Sequence, residues 1–356
     1  YAPLELTLPL QLDKVVLATG GQMKNTIALA WNDRLVISPH IGDLDSARSL
    51  SVFEQVIADL QQLYEVQAEV VVADAHPGYA SHRWAEQSGI PLITVFHHHA
   101  HASILPLEYG TEQPWLIFTW DGVGYGEDET LWGGETLYGQ AGNWQRVASF
   151  EPFALPGGDK AGREPWRSAA ALCWQAGLDY HAPREHALIY NAWQKRLNCP
   201  TTTAAGRLFD AAAALIGLVT DASFEGQGPM WLEALAGRSA SPLALPLRLG
   251  PDGILRSDWR GLVEAMMETS RSVSERAALF HSTLAGVLVQ QALAVRETRR
   301  FDYVGLCGGV FQNRRLSEAC VAALQQQGIE VRLCERLPCN DAGLSFGQVI
   351  EYAFSG

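Results

Sequence analysis

The chain has 356 residues, 47% hydrophobic and 18% charged, and its 26 basic and 39 acidic residues leave a formal net charge of -13. A single core stops growing at about 250–300 residues, so two lobes are expected of an ordinary globular protein. The acidic balance excludes broad contact with a nucleic-acid backbone, and no apolar run reaches the roughly 18 residues that a bilayer span requires, so neither nucleic acid nor membrane is an expected partner.

The first residue is Tyr1 rather than Met, and the chain is expected to be processed or part of something longer. Residues 1–14 read as an extended, Pro-bounded lead-in of linker type. Residues 15–21 form a strand ending in a Gly turn, 26–31 a second strand and, beyond Asn32-Asp33, 35–38 a third. A helix over 51–66 carries Phe53, Val56, Ile57, Leu60 and Leu63 on one stripe. A strand at 70–73, a helix at 79–87, a strand at 92–96 and a helix from the histidines to about Leu107 follow. The order β-β-β-α-β-α-β-α predicts a mixed sheet with helices packed on it. A second series of apolar strand, Gly-rich turn and further strands occupies 115–120, 121–124, 130–138 and 145–150. It begins about a hundred residues after the first, which predicts a duplicated domain rather than a solenoid. Helices are expected over 161–175, 184–196, 208–218, 230–236 and 274–299. Then come a strand at 303–307, a helix at 312–326, a strand at 330–333 and a last helix from about Asp341. The expected division is a first lobe over 15–112, joined by the terminal helix 342–356, and a second over 113–341 with a large helical insert.

Six cysteines form no CxxC pair and no signal peptide precedes them, so they read as reduced thiols of a cytoplasmic protein, none in a nucleophile's context. Chemistry concentrates elsewhere. His97, His98, His99 and His101 are four of the ten histidines and follow directly on a strand. On a helix His97 and His101 share a face, the geometry with which two imidazoles chelate one metal. Carboxylates must complete such a site. Asp121, followed by Gly122 and Gly124, ends an apolar strand. It reads as a metal- or phosphate-binding turn or as a β-hairpin turn. Gly308 and Gly309, ahead of Asn313, read as a phosphate or adenosine cradle at a helix start or as a plain strand-to-helix connection. Asp341 either caps the last helix or, if the chain end folds back to the histidines, joins the metal. Lys160, Arg163 and Arg167 follow a Pro-Gly-Gly loop, and this basic cluster in an acidic chain predicts a bound anion or a solvated helix start. Asp210, set among apolar residues, needs a partner or a cleft.

Together these segments resemble the transferase portion of the HypF family, the carbamoyltransferases of [NiFe]-hydrogenase maturation. The resemblance rests on FHHHAHA (96–102), DGVGYGEDETLWGGE (121–135), LPGGDKAGREPWR (155–167), GRLFDAAAALIGL (206–218), FEGQGPMWLE (224–233), GGVFQNRRL (308–316) and CNDAGLSFGQ (339–348). It implies the duplicated actin/hexokinase-like α/β fold shared with tRNA threonylcarbamoyl-transferases and O-carbamoyltransferases. It implies iron or zinc on His97, His101 and Asp341, joined by Asp121. The nucleotide, ATP or carbamoyl adenylate, would meet Gly122, Gly124, Asp210, Gly228, Gly308, Gly309 and Asn313. Lys160 and Arg163 would take up developing negative charge as catalytic groups. The carbamoyl group of an adenylate made from carbamoyl phosphate and ATP would pass to the C-terminal cysteine of HypE. The acylphosphatase-like domain, zinc-finger cysteine pairs and adenylate-forming domain of such proteins are not seen in this sequence. A tRNA-modifying enzyme fits the net charge poorly, a small-molecule kinase of the same fold leaves the histidines unexplained, and a non-catalytic nucleotide-binding scaffold leaves the charged cleft candidates without a role.

Overall fold

The computed structural model describes residues 3–110, 113–238 and 240–355. Tyr1 and Ala2 of the expected lead-in, and residues 111 and 112 at the expected lobe boundary, lie outside these. The first lobe contains β1 (Leu4–Ala18), β2 (Ala28–Ile37), α1 (Ala47–Leu63), β3 (Val70–Asp74), α2 (Ala80–Gln87), β4 (Leu92–Val95), α3 (His97–Ala102) and α4 (Ile104–Tyr109). Its sheet runs β2-β1-β3-β4, with β2 antiparallel to β1 and the other pairs parallel.

Three expectations are corrected here. Residues 4–14 are not a linker but the first part of β1. Leu6, Leu8 and Leu12 are buried while Thr7, Pro9 and Gln11 are exposed, the period-two alternation of a half-buried strand. Pro9 falls within a register shift between Thr7 and Leu12, where its missing N–H costs no ladder bond. Asn32-Asp33 does not reverse the chain. Asn32 adopts φ +51°, which Asn tolerates, inside a continuous β2, so the lobe opens β-β-α rather than β-β-β. The helix beginning at His97 is interrupted at Ser103, which separates α3 from α4.

The second lobe contains β5 (Trp115–Tyr125), β6 (Leu131–Gln140), β7 (Asn143–Phe150), β8 (Phe153–Ala154), α5 (Trp166–Ala176), α6 (His186–Gln194), β9 (Thr201–Thr202), α7 (Ala205–Leu215), α8 (Gln227–Leu235), β10 (Leu247–Leu249), β11 (Leu255–Ser257), α9 (Arg260–Met267), α10 (Val273–Arg296), β12 (Tyr303–Cys307), α11 (Arg314–Gln326), β13 (Glu330–Leu333) and α12 (Leu344–Phe354). The sheet order is β10-β11-β7-β6-β5-β12-β13. Its β7-β6-β5-β12-β13 part repeats the first sheet's plan. The leading strand has an antiparallel neighbour on one side and parallel neighbours on the other. This repetition is the duplicated actin/hexokinase-like architecture.

Three apolar clusters define the layers. One packs α1 and α2 on the outer face of the first sheet. A second joins both sheets through Ala100, Ile104, Leu105, Leu344, Phe346 and Val349, so α3, α4 and α12 lie between the sheets. The third covers the far face of the second sheet with the helical insert. There α10 is apolar enough by length and composition to cross a membrane, yet 67% of its apolar window is buried. Phe280, Leu284 and Leu288 place it in the core, and Arg276, His281, Gln290 and Gln291 interrupt its apolar residues.

Candidate metal and nucleotide site

The site assembles at the carboxyl ends of strands from both sheets, where open α/β sheets bind ligands. Asp74 ends β3, His97 begins the helix after β4, Asp121 lies near the end of β5 and Gly309 follows β12. Strands β5 and β12 are parallel neighbours with Thr119 beside Cys307, which sets the β5 residues after Thr119 beside Gly308 and Gly309. Asp121 is not in a hairpin turn, as one reading of the sequence had it. It occupies a bulge in β5, marked by a register shift between Trp120 and Gly124, and the chain reverses only beyond Gly126. Bulges re-aim side chains, and this one directs the Asp121 carboxylate at α3.

His97, His101, Asp121 and Asp341 come together, with one candidate ligand atom of each within 4.8 Å of all the others. Asp121 Oδ2 lies 3.3 Å from Nε2 of both His97 and His101, and Asp341 Oδ1 lies 4.0 and 3.7 Å from the same nitrogens. Gly309 borders this group closely, for a Cβ there would stand 2.8 Å from Asp121 Oδ1. At Gly124 a Cβ would stand 2.6 Å from His97 Cδ2 and His98 Cε1. The donor set and the room around it fit a small cation.

Burial alone would lower the His97 pKa, but the Asp74 carboxylate, helped by Asp121 and Asp341, raises it well above the imidazole range. Burial opposes His101 similarly, and hydrogen bonds to Asp121 and Asp341 raise it. Burial would raise Asp121, and the two imidazoles hold it well below the carboxylate range instead. These opposed shifts describe a negative pocket that draws positive charge to itself. His98 differs. It is fully buried beside Trp132, both its ring nitrogens lack hydrogen-bond partners among the described residues, and burial followed by repulsion from His97 and His101 puts its pKa well below the imidazole range. Burial takes His99 down to about 4.

Asp74 escaped sequence reasoning. Its Oδ2 is 2.7 Å from His97 Nδ1, which leaves Nε2 to face Asp121, the carboxylate–histidine arrangement that orients metal-ligating imidazoles. The signal existed, since Val-Val-Val-Ala-Asp ends an apolar strand in the manner of Phe-Thr-Trp-Asp at Asp121. Arg207 was also missed. Its guanidinium lies between the β5 bulge and the turn Gly158–Gly162, with Nη2 3.3 Å from a Cβ built on Gly122 and Nη1 3.6 Å from one built on Gly162.

The residues expected to meet a nucleotide form a second, adjoining group. Helix α7 starts against the bulge, where a Cβ on Gly206 would stand 2.7 Å from Gly122 Cα. Asp210, one turn on, lies 2.9 Å from Arg207 Nη1, although its Oδ2 accepts no aligned hydrogen bond. Gly228, in the first turn of α8, would bring a Cβ within 3.8 Å of Asp210 Oδ1. Gly308 has φ +101°, and a Cβ there would meet the Trp120 carbonyl at 2.3 Å. Asn313 is otherwise engaged: its Oδ1 caps α11 at Leu316 N, and its Nδ2 meets His281 Nε2 at 2.9 Å. Lys160 and Arg163 are exposed on and just after the turn Gly158–Gly162 and make no ion pair or side-chain hydrogen bond among the described residues. Their turn borders Arg207 through Gly162, but their side chains are not drawn into contact with the histidine–carboxylate group.

Burial pushes Asp210 up to about 6 against the pull of Arg207. Its neutral form contributes stability that is fully present below the unfolded pKa of 3.8 and is lost as pH rises through about 6. The stability gain from Asp210→Asn is therefore expected to grow by roughly 2–3 kcal/mol between pH 4 and pH 7. Paired urea titrations of both proteins at the two pH values measure this, and an unchanged gap would show that Asp210 is not held at a cost.

Residues 11–107 match the HypF Kae1-like domain model, and residues 117–348 match the second subdomain of the carbamoyltransferase Kae1-like domain. The chain belongs to the HypF Kae1-like family. Carbamoyltransferase HypF of Synechocystis sp. is 36% identical over 377 residues, covering 98% of this chain and 48% of that protein. The HypF homolog of Cupriavidus necator is 34% identical over 366 residues, covering 96% of this chain and 92% of that protein. Full-length HypF solved in a phosphate- and nucleotide-bound form superposes with a TM-score of 0.91 at 32% identity, over 99% of this chain and 48% of that one. The chain thus spans about half the length of the Synechocystis protein and of other curated HypF relatives it matches. A tRNA N6-adenosine threonylcarbamoyltransferase of Verminephrobacter eiseniae matches at 30% identity, over only 39% of this chain.

Proposed function

We propose that this chain passes a carbamoyl group from carbamoyl adenylate to the C-terminal cysteine of HypE, in the maturation of [NiFe] hydrogenase. The adenylate would be made from carbamoyl phosphate and ATP by an adenylating domain outside this chain, in the cytoplasm. The observation that carries this reading is the convergence of His97, His101, Asp121 and Asp341 beside Gly309, in a member of the HypF family.

Two imidazoles and two carboxylates suit iron or zinc, and such an ion would supply Lewis-acid polarisation of a phosphate or carbonyl oxygen. His97 and Asp121 are held for that purpose by Asp74 and by the β5 bulge. In the adenylate the carbamoyl carbon is bonded to a phosphate oxygen. The acceptor thiolate forms the new C–S bond, the C–O bond breaks, and AMP leaves with the electron pair. Arg207, with Lys160 and Arg163 at the rim, would meet the charge that builds on the departing phosphate. Glycines at 122, 308 and 309 let the ligand approach the backbone. Burial pushes the Cys173 and Cys339 thiols up to about 12 and those of Cys307 and Cys320 well above the usual thiol value, which disfavours a thiolate nucleophile at these four positions.

The test is label transfer. With the adenylating domain supplied in trans or fused, radiolabelled carbamoyl phosphate and ATP are expected to label HypE at its terminal cysteine, and prior alkylation of that thiol should abolish the signal. Folded components that leave HypE unlabelled would overturn the reading.

A further inference from the structure

Beside His101 lies a pair of thiols that the proposed transfer leaves unused. Cys307 ends β12 and leads directly into Gly308 and Gly309, and Cys334 is the first residue beyond β13. The two strands are parallel with Leu306 opposite Leu333, so the next step along each sets Cys307 beside Cys334. Neighbouring strands run about 4.8 Å apart, inside the Cα separation of about 4.4–6.8 Å that a disulfide spans. The side chains turn toward each other, for Cys307 Sγ lies 3.7 Å from Cys334 Sγ. A bond of about 2.0 Å asks for a closure of about 1.7 Å, which side-chain rotation can supply while the strands stay paired. The pair also touches both halves of the ligand set. Cys307 Sγ stands 4.0 Å from Nδ1 of His101, whose Nε2 faces Asp121. The Cys307 S–H donates to the Cys339 carbonyl at 3.4 Å, two residues before Asp341, and the same carbonyl accepts the Gly308 N–H at 2.8 Å. Cys334 is partly exposed, whereas Cys307 is buried, so an oxidant meets Cys334 first.

We propose that Cys307 and Cys334 are an oxidative modification site, joined by a peroxide into a reversible disulfide that loosens the hold on His101 and on the segment carrying Asp341. Cys334 takes one oxygen from hydrogen peroxide to become a sulfenic acid, and one water leaves. The Cys307 sulfur then forms the S–S bond, the S–O bond of Cys334 breaks, and the departing hydroxyl carries off the Cys307 proton as a second water. The two sulfurs together lose two electrons and the peroxide gains them. Turning Cys307 toward Cys334 takes its sulfur from His101 Nδ1, and the bond removes the S–H that the Cys339 carbonyl accepts. A metal-ligating imidazole is oriented by the partner of its other nitrogen, so the ligand set is weakened without losing a ligand. In a reducing compartment such a bond is transient and serves sensing rather than structure. The disulfide rests on the thiol geometry alone, whereas its effect on a metal rests on the proposed ligand set.

Peptide mapping and zinc binding test the two parts separately. Tryptic cleavage after Arg300, Arg314, Arg332 and Arg336 puts Cys307, Cys320, Cys334 and Cys339 in separate peptides. After the full chain is treated with hydrogen peroxide and its remaining thiols are alkylated, mass spectrometry should find residues 301–314 linked to residues 333–336. Dithiothreitol should abolish the link, and Cys334→Ser should leave Cys307 open to alkylation once the protein is unfolded. Zinc, which has no redox chemistry of its own, reads the consequence. In competition with a chelator, oxidised wild type should hold zinc about tenfold more weakly than reduced wild type, the lower end for losing the outer partner of a metal-binding histidine. Dithiothreitol should restore the affinity, and Cys334→Ser should bind zinc equally before and after peroxide, with thermal melts confirming that it is folded. No linked peptide, or Cys334 joined to Cys339 instead, would overturn the modification site. A linked peptide with zinc affinity unchanged would overturn its coupling to His101. A reduced wild type that takes up no zinc would bring down the metal reading and the coupling together, and the linked peptide would still decide whether the disulfide forms.

Discussion

Replacing His97 and His101 together by alanine is expected to abolish both metal retention and carbamoyl transfer. Removing a single outer partner of a metal-binding histidine costs about 10–100-fold in affinity. Removing two of four donors should cost far more, so a chain that purifies with about one ion is expected to retain less than a tenth of that in the variant. The physical cost goes beyond lost ligands. Asp74 is fully buried and would lose the imidazole 2.7 Å from it, and Asp121 would lose both nitrogens that hold its pKa down. Two carboxylates left near Asp341 without positive partners repel one another, so some loss of thermal stability should accompany loss of the ion. Elemental analysis of the purified variant reads the metal directly and needs neither substrate nor partner. Full occupancy in the folded double variant would sink the ligand assignment, whatever happens to the activity.

Why some of this was legible in the sequence and some not follows from the range of each interaction. Strands β12 and β13 come out at the predicted bounds, β12 because a buried parallel strand is written as a continuous apolar run and β13 because Val331 and Leu333 alternate with Glu330 and Arg332 in an edge strand. Helices α9 and strands β10 and β11 went unseen, because eight and three residues hold too few periods to register. The alternation of Leu6, Leu8 and Leu12 was present, yet Pro3 and Pro9 bounding the segment argued for a linker. The partner strand that accommodates Pro9 lies beyond Ala28 and is not a local signal. The histidine spacing was legible because a helix fixes it locally. Asp74 and Arg207 were not, because each acquires its role only by meeting residues from another element: the imidazole of His97 in one case, Gly122 and Gly162 in the other. Asn313 shows the reverse. Its motif promised a ligand contact, and locally its amide caps a helix and meets His281.

Gly347→Val is expected to be the most damaging substitution outside the charged cleft. Asp341 reaches the histidines because α12 lies on α3, and at Gly347 the backbone of α12 comes directly against that of Ala100. A Cβ there would stand 1.9 Å from the Ala100 carbonyl oxygen and 2.6 Å from its carbon. Both atoms are backbone, so no rotamer change relieves the clash and the helices must separate. Overpacking a core costs about 1–3 kcal/mol when side chains can adjust, and a backbone clash with a β-branched residue should exceed that range. The same shift would strain the paired contacts of the Gln348 amide with Gly20, at 2.9 Å to its nitrogen and 3.3 Å to its carbonyl, which tie α12 to the turn after β1. It would also draw Asp341 from His101, where the present separation is 3.7 Å. Two readouts should therefore fall together, the midpoint of urea unfolding and the metal content of whatever folds. Gly347→Ala should show both effects in milder form, since it adds one methyl group to the same contact and keeps helix propensity high. A Gly347→Val protein that unfolds at the wild-type midpoint would mean that α12 does not rest on α3 through this glycine, and the placement of Asp341 among the ligands would fall with it.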